Sequence, residues 1–191
     1  MKKNLISYRI MKRTLSFVWE TGKVIILALL IVVPIRMFVF QPFLVRGESM
    51  EPNFHQGDYL VIDELSFRFR DPERGEVIVL KFPGNISQRY IKRIIGLPGE
   101  TVKVQDGKVA VLKDEKEVVL NESGYLPSGV ETPGAATATL KDNEYFMMGD
   151  NRPFSSDSRQ WGVLSKNLIV GRVLLRLFPP NVIAKIQEPS Y

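Results

Sequence analysis

Apolar and polar positions are arranged in two different ways along the chain. Residues 24–35 read Val-Ile-Ile-Leu-Ala-Leu-Leu-Ile-Val-Val-Pro-Ile without a charge, and a shorter apolar stretch follows Arg36. From residue 44 onward no such run recurs. Short β-like segments replace it at 59–62, 76–80, 90–95, 101–104, 108–112, 118–120, 144–148 and 169–177, with Gly and Pro falling mostly between them. Asp106-Gly107 between two of these segments is a two-residue hairpin signal. The pattern predicts a mainly β domain behind one apolar helix. Residues 113–143 are polar, contain Gly and Pro and show little periodicity, so they read as an excursion from the main sheet, partly hairpin and partly loop.

The apolar helix needs a solvent. Twelve helical residues cover about 18 Å, less than a hydrocarbon core of about 30 Å. The span therefore extends back over 17–19 or forward past Arg36, whose side chain would snorkel to the interface. We place it at 20–40, with Trp19 at the interface. The expected organisation is a basic tail over 1–19, an anchor over 20–40 and an outer domain over 41–191. A cleaved signal peptide has a similar charged head and apolar middle, but 38–43 offer no small-x-small junction. A buried core helix is the other reading of so short a run.

Charge sharpens this division. The net charge of +5 would suggest nucleic acid, but residues 1–45 carry seven Lys and Arg against Glu20 alone. The remainder carries 19 basic against 20 acidic residues, so the domain lacks a nucleic-acid footprint. Basic residues before the span predict a cytoplasmic N-terminus and an extracytoplasmic domain at the cell membrane. With no cysteine, disulfides, thiolate metal sites and a cysteine nucleophile are excluded. A single histidine, His55, excludes a multi-histidine metal site. No metal or cofactor is expected.

Three segments carry candidate chemistry. In Gly47-Glu48-Ser49-Met50-Glu51-Pro52 the serine is either a turn residue or a nucleophile. In Tyr90-Ile91-Lys92-Arg93-Ile94-Ile95 strand alternation puts Lys92 with Tyr90 and Ile94, and Arg93 with Ile91 and Ile95. One of the two cations then faces an apolar environment. A desolvated lysine has its pKa lowered toward neutrality and can take a proton from a serine hydroxyl. The third segment, 149–159, holds Asp150, Arg152, Ser155, Asp157 and Arg159, a polar loop held by Asp–Arg pairs. His55 reads as a loop residue.

These segments in this order, with Gly57-Asp58 and Arg74-Gly-Glu-Val-Ile-Val between them, resemble the bacterial type I signal peptidases, and the single anchor resembles the Gram-positive form. The resemblance implies that Ser49 is the nucleophile and Lys92 the general base. It implies that Ser155 hydrogen-bonds and orients the lysine amine. Asp157 and Arg159 would pair, with Asp150 and Arg152 in support. Met50, Tyr90 and Ile91 would line the substrate pocket, and the Ser49 N–H would donate to the oxyanion. The implied substrates are the signal peptides of exported preproteins, cut after small residues in an Ala-x-Ala-type pattern at the lipid surface, with an apolar rim at 38–44 dipping into the membrane. Two positions depart from the family. Gly47 stands where some members carry a serine that completes the oxyanion hole, and Asn53 stands where threonine is usual, a change expected to be neutral. Organellar inner-membrane peptidases share the dyad. A self-cleaving repressor-type protease would need a DNA-binding module in place of the anchor. A catalytically dead, signal-peptide-binding domain is opposed only by the intact Ser49, Lys92 and Ser155.

Overall fold

In the computed structural model, residues 2–38, 40–179 and 184–185 are described. The chain divides into two compact units, Met1–Val39 and Phe40–Tyr191.

The first unit is one helix, α1 (Lys2–Phe38). It begins inside the expected basic tail, so the charged residues form the first turns of the same helix. Among the described residues, Leu15–Val32 is a stretch long and apolar enough to cross a membrane, and it overlaps the expected anchor. None of that stretch is buried, and Trp19 lies within it, 68% exposed. A core helix would bury an apolar stripe; this helix shows apolar side chains all round, which suits lipid.

Among its described residues the second unit contains twelve strands: β1 (Phe40–Leu44), β2 (Tyr59–Asp63), β3 (Val77–Phe82), β4 (Asn85–Gly96), β5 (Thr101–Gln105), β6 (Lys108–Lys113), β7 (Lys116–Val119), β8 (Ala136–Thr139), β9 (Glu144–Met148), β10 (Leu164–Ser165), β11 (Ile169–Phe178) and β12 (Ala184–Lys185). One sheet runs in the order β1-β2-β11-β3-β4-β9-β10, with β12 on β11. A smaller sheet runs β7-β6-β5-β8. The expected mainly β architecture is what the chain adopts. Four strands lie where none was expected: β1, read there as part of the anchor and its rim, β8, inside the excursion, and the two-residue β10 and β12. Residues 186–191 of the expected domain, and the side chains of 38–41 in the expected rim, lie outside what is described.

Strand β4 organises the molecule. From Ile91 to Gly96 every residue is buried, because the strand is covered on both faces. Ile91 packs with Met50, Phe54, Val77 and Val79, whereas Ile94 packs with Ile78, Leu80 and Met147. At Gly96 the chain leaves the main sheet for the small one. A Cβ there would lie 2.3 Å from Val102 and 2.8 Å from Leu140, so only glycine lets the two sheets close on a shared core. That core includes Ile95, Val102, Val104, Val111, Phe146 and Met148.

Candidate active site

Ser49 sits on a turn held down by its neighbours. Phe54 N–H donates to the Met50 carbonyl at 2.9 Å, and the Met50 and Phe54 side chains are buried in the core beneath. Gly47 has a φ of +85° at the entry to the turn, a backbone state that favours glycine. Ser49 itself stays half-exposed. Met50, expected to line the substrate pocket, packs at 1% exposure beneath the turn. His55 lies exposed in the turn that follows.

Lys92 approaches from β4, opposite Ile78 of β3. Its Nζ lies 2.7 Å from Ser49 Oγ and donates to its neighbour's carbonyl, Ile91 O, at 3.1 Å. The side chain is buried, and no carboxylate pairs with it among the described residues. Burial lowers its pKa to about 8, against smaller opposing pulls from Asp157 and Asp150. An ammonium at this point is held by hydroxyl and carbonyl oxygens; a neutral amine presents its lone pair to the same hydroxyl.

Arg93, next along the strand, is also buried, so the expectation that one of the two cations faces an apolar environment understates the site. Arg93 solves burial differently. Its Nε and Nη2 donate to the two Asp150 oxygens at 2.8 and 2.6 Å, and its Nη1 donates to Gly75 O at 2.7 Å. Its guanidinium lies 4.1 Å from the Tyr125 ring centroid. This use of the Arg74-Gly75-Glu76 turn accounts for its place beside the Lys-Arg pair.

The loop after β9 closes the site. Gly149 is where it passes Ser49: a Cβ there would lie 2.2 Å from Ser155 Oγ and 2.3 Å from Ser49 O. Asn151 N–H then donates to Ser49 O at 3.1 Å, and Asn151 Nδ2 to Glu48 O at 3.0 Å. Asp157 and Arg159 pair at 2.8 Å. Burial alone would raise the Asp157 carboxyl, but Arg159, the Gly149 N–H and Ser155 outweigh it and hold it below the usual range. Asp150 and Arg152 do not pair with each other. Asp150 takes Arg93, and Arg152 takes Glu122 at 2.5 Å. The expected hydrogen bond from Ser155 to the lysine amine is absent in this arrangement. Ser155 Oγ is buried beside Asp157, helping to keep that carboxyl low, yet it falls short of hydrogen-bond geometry with any partner among the described residues.

An open groove of about 740 Å³ runs past Ser49 and Lys92, lined on one side by Pro42, Phe43 and Leu44 and on the other by Tyr90 and Ile91. Tyr90 and Ile91 line this groove, and Met50 packs beneath the turn that carries Ser49. Two contributors escaped sequence reasoning. Arg93 was in view beside Lys92 but carried no assigned role. Asn53, expected to be a neutral replacement, ties the site together: its amide donates to Asp150 Oδ2 at 2.8 Å and to Tyr125 O at 2.7 Å.

Comparison with known proteins bears on the chain as a whole. The family described as "Signal peptidase, peptidase S26" matches residues 18–178. A probable signal peptidase I-1 of Synechocystis sp. is 35% identical over 177 residues, covering 87% of this chain and 85% of its own length. A signal peptidase I of Bacillus amyloliquefaciens is 35% identical over 179 residues, covering 91% and 92%. A crystal structure of a signal peptidase I from Enterococcus faecalis V583 covers 54% of this chain and 97% of its own, at 30% identity and a TM-score of 0.44. That superposition is too partial to bear on the fold; the sequence matches span nearly the whole chain. On their strength the chain belongs to the signal peptidase family, peptidase S26.

Proposed function

We propose that this chain is a membrane-bound serine endopeptidase that removes signal peptides from exported preproteins, with Ser49 as nucleophile and Lys92 as general base. The removal of signal peptides follows from the family. The finer assignment is supported above all by one observation: a buried lysine with a pKa near 8, 2.7 Å from a serine hydroxyl at the edge of a groove. An ordinary lysine, with a pKa near 10.4, is protonated at neutral pH and cannot accept a proton. At about 8 a useful fraction is neutral.

Neutral Lys92 takes the hydroxyl proton as Ser49 Oγ attacks the scissile carbonyl. The oxyanion forms beside the Ser49 N–H, which has no acceptor of its own among the described residues. Lys92 then gives its proton to the departing amine, and the signal peptide remains as an acyl group on Ser49. Water, deprotonated by the same amine, releases it and restores the enzyme. Small side chains at the cut, of the Ala-x-Ala type, would pack against Tyr90 and Ile91 in the groove. The apolar helix holds this chemistry at the membrane where signal-peptide ends lie, with the N-terminus inside the cell and the domain outside. Half-buried Phe43 and exposed Leu44 and Phe154 line the groove and give it an apolar rim.

The test is cleavage of a preprotein with an Ala-x-Ala junction in detergent, by the parent, Ser49→Ala and Lys92→Ala. Each variant is expected to lose at least about 10³-fold in rate with its fold intact. Cleavage by Lys92→Ala within tenfold of the parent would remove the lysine from the mechanism.

A further inference from the structure

The polar excursion 113–143 had no role in the sequence reading, and the chemistry above makes no use of it. It nevertheless supplies the partners of the loop that closes the site. Arg152 is one of the largest fully buried side chains in the protein. Its Nη1 and Nη2 donate to Glu122 at 2.7 and 2.5 Å, its Nη1 also to Thr132 Oγ1 at 2.6 Å, and its Nη2 to Tyr125 Oη at 3.3 Å. Tyr125 Oη donates in turn to Glu122 at 2.5 Å. Arg159 Nη1 donates to Pro133 O at 2.9 Å. Through Asn53, the Tyr125 carbonyl is tied to Asp150.

The excursion is itself anchored. Leu120, Tyr125 and Leu126 are buried in the core of the small sheet, and Thr132 N–H donates to Gly107 O at 2.9 Å at the hairpin between β5 and β6. The small sheet is therefore a fixed base, and the segment around 122–133 is a grip on the loop.

We propose that Glu122 is a positioning residue for the peptidase reaction, acting through Arg152 to hold the 149–151 backbone against Ser49. The chain of contacts is short. Glu122 neutralises and orients Arg152. Arg152 Nε donates to Gly149 O at 3.2 Å, and Asn151 N–H, two residues on, donates to Ser49 O. Gly149 and Ser49 are so close that a shift of one moves the other. Without Glu122, the buried guanidinium keeps no carboxylate contact among the described residues and must move toward water, drawing the loop with it. The Ser49 to Lys92 distance then loosens, although neither reacting residue has been touched. Displacements of about 1 Å cost roughly 10²-fold in well-oriented reactions.

This inference rests on Ser49 and Lys92 being the reacting pair. Its test uses the full chain in detergent and a peptide spanning an Ala-x-Ala junction, with rates expressed per folded molecule. Glu122→Gln keeps an acceptor but removes the charge, and Glu122→Ala removes both. Expected is a fall in kcat of roughly 10–100-fold for Glu122→Ala and a smaller one for Glu122→Gln, with KM within about twofold of the parent. Should Glu122→Ala not fold, Glu122→Gln and Tyr125→Phe carry the test, the latter with a loss of a few-fold. A lower melting temperature with parental kcat below the melt would overturn the proposal, leaving the cluster a structural one. So would a rise in KM at parental kcat. Ser49→Ala, run alongside, keeps the two readings apart. If it cuts like the parent, the dyad fails; if it is inert while the Glu122 variants keep parental kcat, only the grip fails.

Discussion

The two compact units break opposite halves of the rule that apolar groups go inside and charges outside. Along Leu15–Val32 the apolar side chains are exposed. In the β domain Lys92, Arg93, Asp150, Arg152 and Asp157 are buried. Each violation needs something to offset it. For the helix that is a hydrocarbon solvent, in which exposed Leu and Ile cost nothing. For the β domain it is pairing: Arg93 with Asp150, Arg152 with Glu122, Arg159 with Asp157. Among the described residues, buried Lys92 has a serine hydroxyl and a carbonyl where buried Arg93 and Arg152 have a carboxylate. The contrast within the domain teaches more than the contrast between units. A paired buried charge is fixed as a charge, whereas an unpaired one is pushed toward its neutral form, and only the neutral form is a base.

The comparison breaks most visibly at the paired charges. Replacing Arg93 by Met leaves the Asp150 side chain, at 0% exposure, with Asn53 as its one side-chain hydrogen-bond donor among the described residues. The expected cost is about 3–5 kcal/mol of unfolding free energy, read from denaturant melts of the full chain in detergent. A cost below about 1 kcal/mol would mean that the pair contributes little.

Replacing Lys92 by Met is expected to act in the opposite direction. The folded pKa of about 8 lies below the ordinary 10.5, so as pH falls the unfolded chain takes up its proton first. The parent therefore loses stability between about 10.5 and about 8 and stays penalised below that. At about 1.36 kcal/mol per pKa unit the penalty is about 3 kcal/mol at most. Lys92→Met should thus be inert as a peptidase yet melt higher than the parent near neutral pH. A melting temperature below the parent's would show that Lys92 contributes more as a structural contact than it costs as a buried charge.

Much of this site was legible in sequence because its parts are local. Ser49, Lys92 and the Asp157–Arg159 pair lie in three short motifs, and strand alternation already singled out the two cations of β4. The strands at 59–63, 77–82 and 101–113 were marked by period and by the turn at Asp106-Gly107. What could not be read is what depends on distant partners. Nothing near Arg152 shows that its carboxylate comes from Glu122, thirty residues earlier in an aperiodic segment. Asp150 and Arg152 are close in sequence and opposite in charge, which made them look like a pair. Met50 sits on a turn, where no period says which side chain points inward. β8, an Ala-Thr repeat, carries too little apolar mass to announce a strand until β5 is beside it. β1 was hidden by the apolar run it continues.

The central claim is that burial makes Lys92 a base. The most direct measurement is the pH dependence of single-turnover acylation on an Ala-x-Ala peptide. The rate should fall tenfold per pH unit below an acid limb near 8, where the amine takes up its proton, and persist above it. The limb should vanish with the activity in Lys92→Ala. A limb near 10.4, the value of a solvated lysine, would contradict the account.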